Sequence, residues 1–183
     1  MNFISKNLLG CYILEPKIIY DERGYFMESF NEKQFQEGIE KPVHFVQDNQ
    51  SFSIKGALRG LHYQTGVHAQ AKLVRVLEGE VLDIAVDIRP NSDTFGQYVS
   101  VILSSENQKQ FFIPKGFAHG FVVLSETATF FYKCDNFYNK ESEGGIIYSD
   151  PKINIDWQFP ILEAIVSDKD QQLPTLEKAR KAW

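Results

Sequence analysis

The 183-residue chain has two cysteines, Cys11 and Cys134, and neither sits in a CxxC pair or a Cys/His zinc spacing. Two thiols are too few for a disulfide framework, so both read as small core residues of a cytoplasmic protein. Basic excess is lacking as well, since 19 Lys and Arg stand against 24 Asp and Glu, a net charge of -5. That excludes a protein that grips nucleic acid through a cationic face, and any anionic ligand must be met by a local cluster of cations. No apolar run approaches the roughly 20 residues that span a bilayer, which excludes a membrane-embedded chain. The opening "MNFISKNLLGC" carries an "LLGC" box like that of a bacterial lipoprotein, but Lys6 and Asn7 interrupt it. Export needs an unbroken apolar stretch of roughly 7–15 residues, so the sequon "NQS" at Asn49 has no secretory context. Repeats, low-complexity tracts and linkers are missing too, which predicts one domain over residues 1–183. At 43% hydrophobic it has the means to bury a core.

Helix signals are scarce. "NEKQFQEGI" has Asn31 as an N-cap for about two turns, and "LPTLEKARKAW" places Pro174 near the first turn of a helical tail over about 174–183. What is abundant is strand: "YILEPKIIY", "GYFMESF", "VHFVQDNQSFSI", "GQYVSVILS", "KQFFIPKGFAHGFVVLS" and "ATFFYKC" are short apolar or alternating runs broken by turn residues. Such spacing predicts an all-β fold, an antiparallel sandwich or barrel with a few short accessory helices. "KLVRVLEGEVLDIAVDI" reads as a hairpin turning at Glu78-Gly79-Glu80. In its second arm Leu82, Ile84, Val86 and Ile88 share a core face, while Val81, Asp83, Ala85 and Asp87 share a face that carries carboxylates.

Four histidines, His44, His62, His68 and His119, raise the question of a metal. A metal-binding β-barrel of the cupin type wants His-x-His on one strand, and here Gln64 stands where the second His belongs. Only His62 and His119 are well placed, short of the three or four ligands a zinc or iron site needs. Neither metal nor cofactor is therefore expected.

Polar residues also interrupt the apolar strands: Arg59 and His62 in "RGLHYQ", Lys72, Asp83, His119 and Tyr132. Singly, Lys72 could guard a strand edge and Tyr132 could be one more core aromatic. Together they offer a base, a cation for an oxyanion and a high-pKa acid, the equipment for moving protons beside a carbonyl. Arg23 with Glu28, Gln47 with Asn49, and Arg59 form a second polar set, in which two guanidinium forks suit a diphosphate. "VSDKDQQ" sets Lys169 and Asp170 ahead of the C-terminal helix, and Asp170 could orient the histidine base if that segment folds back.

The motifs "DERGYFMESF", "FVQDNQSFS", "ALRGLHYQ", "AKLVRVLEGEVLDIAVDIR", "SDTFGQY", "FFIPKGFAHGFVVLSE", "FFYKCDNFYNKESEGGI" and "SDKD", in that order, resemble the dTDP-4-dehydrorhamnose 3,5-epimerase family from about Leu14 to Asp170. The resemblance implies a cupin-type jelly roll, metal-free and homodimeric, with an N-terminal strand exchanged between subunits. It implies conversion of dTDP-4-dehydro-6-deoxy-D-glucose to dTDP-4-dehydro-L-rhamnose, with a C3-only or C5-only epimerase on a related dTDP-sugar as the alternative. Motif matching makes His62 the base, Asp170 rather than Asp168 its carboxylate partner, Lys72 the group at the C4 oxygen and Tyr132 the acid. It assigns Arg23, Glu28, Gln47, Asp48, Asn49, Arg59, His119, Glu143 and Lys169 to the nucleotide sugar, and Tyr138 to the thymine ring. A difficulty remains: a spacing of three puts Arg59 and His62 on opposite faces of a regular strand, so either a bulge or bend at Gly60 or a site at the strand's end is needed to bring them together.

Overall fold

The computed structural model describes residues 1–5 and 10–182; Lys6 and Asn7, on which the reading of the leader rests, lie outside the described residues, as does Trp183. In chain order the elements are β1 (Asn2–Ser5), β2 (Tyr12–Glu15), β3 (Ile18–Asp21), β4 (Gly24–Met27), α1 (Glu32–Ile39), β5 (Gln47–Ile54), β6 (Ala57–Gln64), β7 (Lys72–Glu78), β8 (Glu80–Asp87), β9 (Tyr98–Ser104), β10 (Gln110–Ile113), β11 (Phe117–Val123), β12 (Thr127–Cys134), β13 (Glu143–Gly145), β14 (Ile165–Val166) and α2 (Asp168–Gln171). One sheet runs β1-β2-β10-β7-β12-β5 and the other β13-β6-β11-β8-β9, with β14 added parallel to β6 and β3-β4 forming a separate hairpin. Two facing antiparallel sheets with two short helices are the expected cupin-type arrangement. Among the described residues no helix is long and apolar enough to cross a membrane.

Three apolar clusters explain the layering. Val74, Val76, Phe111 and Phe130 of the first sheet meet Val81, Ala85, Val101, Phe121 and Val123 of the second, which fills the space between the sheets. Phe35 and Ile39 of α1 cover Leu14, Leu73 and Phe112 on the outer face of the first sheet. Asn31 caps that helix as expected, accepting from the Gln34 backbone N–H. The outer face of the second sheet, with Leu58, Leu61, Leu82, Ile84 and Val86, is covered by Ile146, Ile153, Trp157 and Ala182 from the C-terminal third.

This layering corrects two expectations about "KLVRVLEGEVLDIAVDI". Its arms do not form a hairpin: β7 lies in the first sheet and β8 in the second, so the chain crosses between sheets at Gly79. Gly79 has φ +80°, and a Cβ there would lie 2.0 Å from the Thr127 carbonyl oxygen. Nor is only one face of β8 core, because the face that carries the carboxylates is covered as well and Asp83 and Asp87 are fully buried.

Over the described residues 174–182 the expected helical tail does not form either. Its backbone is engaged elsewhere: the Ile147 N–H donates to the Pro174 carbonyl at 2.9 Å, the Gly66 N–H to Ala182 at 2.8 Å, and the Leu176 N–H to Asp150 Oδ2 at 2.7 Å. Tyr63 donates its hydroxyl to the Arg180 carbonyl. Cross-chain partners for these groups, with Leu176, Ala179 and Ala182 packed on the core, outweigh a modest helix propensity. The helix that does form is α2, capped by Ser167, and Asp170 lies within it rather than ahead of the tail.

Candidate active site

A cleft of about 610 Å³ opens between the sheets, lined by Asn49 of β5, Arg59 and His62 of β6, Lys72 of β7, His119 of β11, Tyr132 of β12, and Lys169 and Asp170 of α2. The second sheet contributes the histidines and the first contributes Lys72 and Tyr132, so candidate proton-handling groups occupy facing walls. A smaller hollow of about 290 Å³ shares Asn49, His62, Lys72 and Tyr132 and adds Gln47, Tyr138 and Glu143.

Gly60 resolves the parity of Arg59 and His62. Along the β6–β11 pair His62 opposes His119 and Arg59 opposes Phe121, so Gly60 and Leu61 together face Gly120. Two residues against one is a bulge, and the extra residue brings both side chains into the cleft. The strands approach so closely that a Cβ at Gly60 would lie 2.6 Å from Gly120 Cα, and one at Gly120 2.6 Å from the Arg59 carbonyl oxygen.

His62 Nε2 lies 2.6 Å from Asp170 Oδ1, while Asp170 Oδ2 accepts the Gly60 backbone N–H at 3.1 Å. Of the two aspartates in "SDKD", Asp170 makes the contact and is buried. Burial would raise its pKa, but the His62 hydrogen bond, the Gly60 N–H and Lys169 outweigh it and hold the carboxyl below the ordinary value. Since Nε2 donates to a carboxylate, Nδ1 is left as the basic nitrogen.

Burial pushes the Lys72 ammonium down, opposed by Cys134 and Asp83. Its Nζ sits 5.8 Å from the centre of the Tyr132 ring. Burial and the neighbouring Cys134 thiol push the Tyr132 phenol up, with Arg59 opposing, so Tyr132 carries its proton at neutral pH. At the mouth, Lys169 Nζ pairs with Glu143 Oε2 at 2.7 Å. Gln47 Nε2 donates to Asn49 Oδ1 at 3.0 Å and Gln47 Oε1 accepts the Tyr138 backbone N–H at 3.0 Å, which ties the half-exposed Tyr138 ring to the same rim.

Three expected residues lie elsewhere. Asp48 alternates away from Asn49 along β5, and its carboxylate pairs with Lys133 at 3.0 Å on the exposed side. Arg23, at the β3–β4 turn, pairs with Asp21 at 2.6 Å and is 87% exposed. Glu28 accepts from Asn31 and Gln34 at the start of α1. Neither Arg23 nor Glu28 lines the cleft of its own chain.

Sequence reasoning left Asp83 without a role, although a carboxylate inside "VLDIAV" was itself the signal; it accepts from His119 Nε2 at 2.9 Å on the cleft floor. Gln64 is a clamp: Oε1 accepts the Asn139 N–H at 2.6 Å and Nε2 donates to the His68 and Phe137 carbonyls at 2.7 and 3.2 Å. His44 pairs with Glu32 at 2.8 Å on the surface, and His68 ends a 3-10 turn. Among the described residues no group of three or more His, Cys, Asp or Glu is placed to hold a metal.

Comparison with known proteins places these features in a family. The dTDP-4-dehydrorhamnose 3,5-epimerase family profile matches residues 5–178. The dTDP-4-dehydrorhamnose 3,5-epimerase of Shigella flexneri is 56% identical over 170 residues, 93% of each chain. The crystal structure of dTDP-4-dehydrorhamnose 3,5-epimerase from Elizabethkingia anophelis NUHP1 superposes with a TM-score of 0.95 at 56% identity, covering 100% of this chain and 99% of that one. That of dTDP-6-deoxy-D-glucose-3,5-epimerase from Legionella pneumophila Philadelphia 1, in complex with dTDP-4-keto-L-rhamnose, superposes at 0.93 with 53% identity, covering 97% and 93%.

Proposed function

The chain belongs to the dTDP-4-dehydrorhamnose 3,5-epimerase family, and from that premise we propose how its cleft inverts two carbon centres. The protein is an epimerase that converts dTDP-4-dehydro-6-deoxy-D-glucose to dTDP-4-dehydro-L-rhamnose. Carbons 3 and 5 flank the C4 ketone, so loss of a proton from either gives an enolate whose charge rests on the C4 oxygen. His62 Nδ1 takes that proton, and the imidazolium that forms is stabilised by Asp170, 2.6 Å from Nε2. The Lys72 ammonium donates to the enolate oxygen inside the cleft. Tyr132, protonated and on the facing sheet, delivers its proton to the carbon from the other side. The centre is thereby inverted, and solvent exchange returns His62 and Tyr132 to their starting states.

The observation that carries this reading is the convergence of His62–Asp170, Lys72 and Tyr132 on one cleft from opposite walls. Tyr132→Phe tests the division of labour. In D₂O the variant should still exchange substrate hydrogen through His62 with retention, while inverted product falls about 10²–10⁴-fold. Inversion at the wild-type rate would remove Tyr132 from the mechanism.

At the mouth, Arg59 and Lys169 meet the diphosphate and Tyr138 stacks on thymine, with Gln47 and Asn49 as polar contacts and Glu143 at the sugar. Arg23 and Glu28 serve a second copy of the chain. They lie outside their own cleft, flanking a hairpin that exposes Ile19, Tyr20, Tyr25 and Phe26, an apolar surface suited to burial in a homodimer. Mixing inactive Arg23→Ala and His62→Ala chains should restore activity through hybrid dimers, and mixtures as inactive as their components would refute the exchange. The two buried free thiols, Cys11 and Cys134, suit a cytoplasmic enzyme.

A further inference from the structure

Between β12 and β13 the chain crosses the rim of the smaller hollow outside regular structure, and there it presents two exposed aromatic rings, Phe137 and Tyr138. Four consecutive residues of this stretch each give a backbone group to a glutamine side chain. Gln70 Nε2 donates to the Asn136 carbonyl at 2.8 Å, and Gln64 Nε2 to the Phe137 carbonyl at 3.2 Å. Gln47 Oε1 accepts the Tyr138 N–H at 3.0 Å, and Gln64 Oε1 accepts the Asn139 N–H at 2.6 Å. Gln64, only 7% exposed, also donates to the His68 carbonyl at 2.7 Å, so its amide ties the turn over Gly66–His68 to the aromatic stretch.

A peptide unit is planar, so holding both of its ends fixes its plane. The unit joining Phe137 to Tyr138 is held at its carbonyl by Gln64 and at its N–H by Gln47, and the next unit is held at the Asn139 N–H by Gln64. Tyr138 Cα therefore sits between two fixed planes, which sets the direction in which its side chain leaves the chain. The rings add little order of their own, being 64% and 55% exposed. Gln64 reaches this stretch from the end of β6, two residues beyond His62 and opposite Glu143 on β13. The side chain that breaks the His-x-His pattern thus has a use of its own at the rim.

We propose that Gln64 is a positioning residue for the nucleotide: with Gln47 and Gln70 it holds the 136–139 backbone so that the Tyr138 ring stands ready for thymine before the substrate arrives. It acts on the backbone that carries the ring and not on the reacting carbons. This deepens the assignment of Tyr138 to thymine and rests on it. A ring ordered in advance loses no freedom on binding, whereas ordering a mobile side chain at that moment weakens affinity by up to about tenfold.

Gln64→Met keeps the length of the side chain and removes its hydrogen bonds to His68, Phe137 and Asn139. The Kd for dTDP, measured by calorimetry, and the KM should both rise about tenfold, with kcat at saturation little changed. A folded variant that binds dTDP as tightly as wild type, or that loses kcat and not affinity, overturns the proposal. In a Tyr138→Ala background there is no ring to position, so Gln64→Met should weaken dTDP binding no further, and an equal further loss there also overturns it. Tyr138→Ala binding dTDP as wild type does defeats the thymine reading itself and the proposal with it. A weakened Tyr138→Ala beside an unaffected Gln64→Met defeats the proposal alone. Should Gln64→Met not fold, Gln70→Met releases the Asn136 carbonyl from a half-buried side chain and goes through the same cycle. Affinity lost only while Tyr138 is present supports the proposal, and wild-type affinity overturns it.

Discussion

Replacing Asp170 by Asn should disable the base without disturbing the fold around it. In the native chain Oδ2 accepts the Gly60 N–H at 3.1 Å and Oδ1 lies 2.6 Å from His62 Nε2. The Gly60 N–H can be satisfied only by the amide oxygen of Asn, which turns the amide NH₂ toward His62. That NH₂ donates to Nε2 and moves the imidazole proton to Nδ1, the nitrogen that must accept the substrate proton. The charged hydrogen bond lost as the imidazolium forms is worth about 1.5–3 kcal/mol, or about 10–10²-fold in rate. The wrong tautomer adds to this, and the same exchange in the serine-protease triad costs about 10⁴-fold. Asp170→Asn should therefore lower kcat by about 10²–10⁴-fold with KM little changed, because the mouth residues are untouched. Steady-state epimerisation, with circular dichroism to verify the fold, measures this. A folded variant turning over within about tenfold of wild type would refute the dyad.

Gly60→Ala should lose both stability and activity, since its Cβ would meet Gly120 Cα at 2.6 Å and the His119 carbonyl at 2.7 Å, at a backbone φ of +122°. Thermal melts and turnover of the variant check this, and a native-like melt would show that the bulge can relax. Arg59→Ala should weaken dTDP binding in calorimetry while kcat at saturation falls far less, because the guanidinium sits at the rim, bound to Ser53 at 3.1 Å, rather than at the reacting carbons. Asp87 is buried against Arg89, Ser92 and Thr94; burial pushes its pKa up, but those donors outweigh it and hold it below the ordinary carboxylate value. A depressed folded pKa means stability present above about pH 4 and lost as pH falls through the folded value. Asp87→Asn should thus cost about 2 kcal/mol at neutral pH, less than a fully buried pair because Arg89 is 27% exposed, and the Tm gap to wild type should narrow in acid. A gap independent of pH would contradict that linkage.

Strand periodicity shows which residues share a face and not which strands are neighbours. The alternation in β6 was enough to require an irregularity at Gly60 or a site at the strand's end, and two residues do oppose Gly120 there. The same alternation in "KLVRVLEGEVLDIAVDI" could not reveal that β7 and β8 belong to different sheets, nor that residues from the C-terminal third cover the second face of β8. "LPTLEKARKAW" carries helix propensity, yet Asp150, Ile147 and Gly66 engage its backbone from distant positions. His62 and Asp170, 108 positions apart, could be joined from the residues only on the condition that the segment folds back, and the family motifs supplied that condition. Asp48 shows the limit of those motifs, because adjacent positions in "QDN" point to opposite faces. Asp83 was visible as a charge inside an apolar strand, and its partner, His119 on β11, appears only in the folded chain.

The most direct test of the account is incubation of wild type and His62→Ala with dTDP-4-dehydro-6-deoxy-D-glucose in D₂O, followed by NMR. Wild type should incorporate deuterium at both C3 and C5 of the L-rhamno product, and His62→Ala at neither. Deuterium at one carbon alone, or exchange by His62→Ala at the wild-type rate, would contradict it.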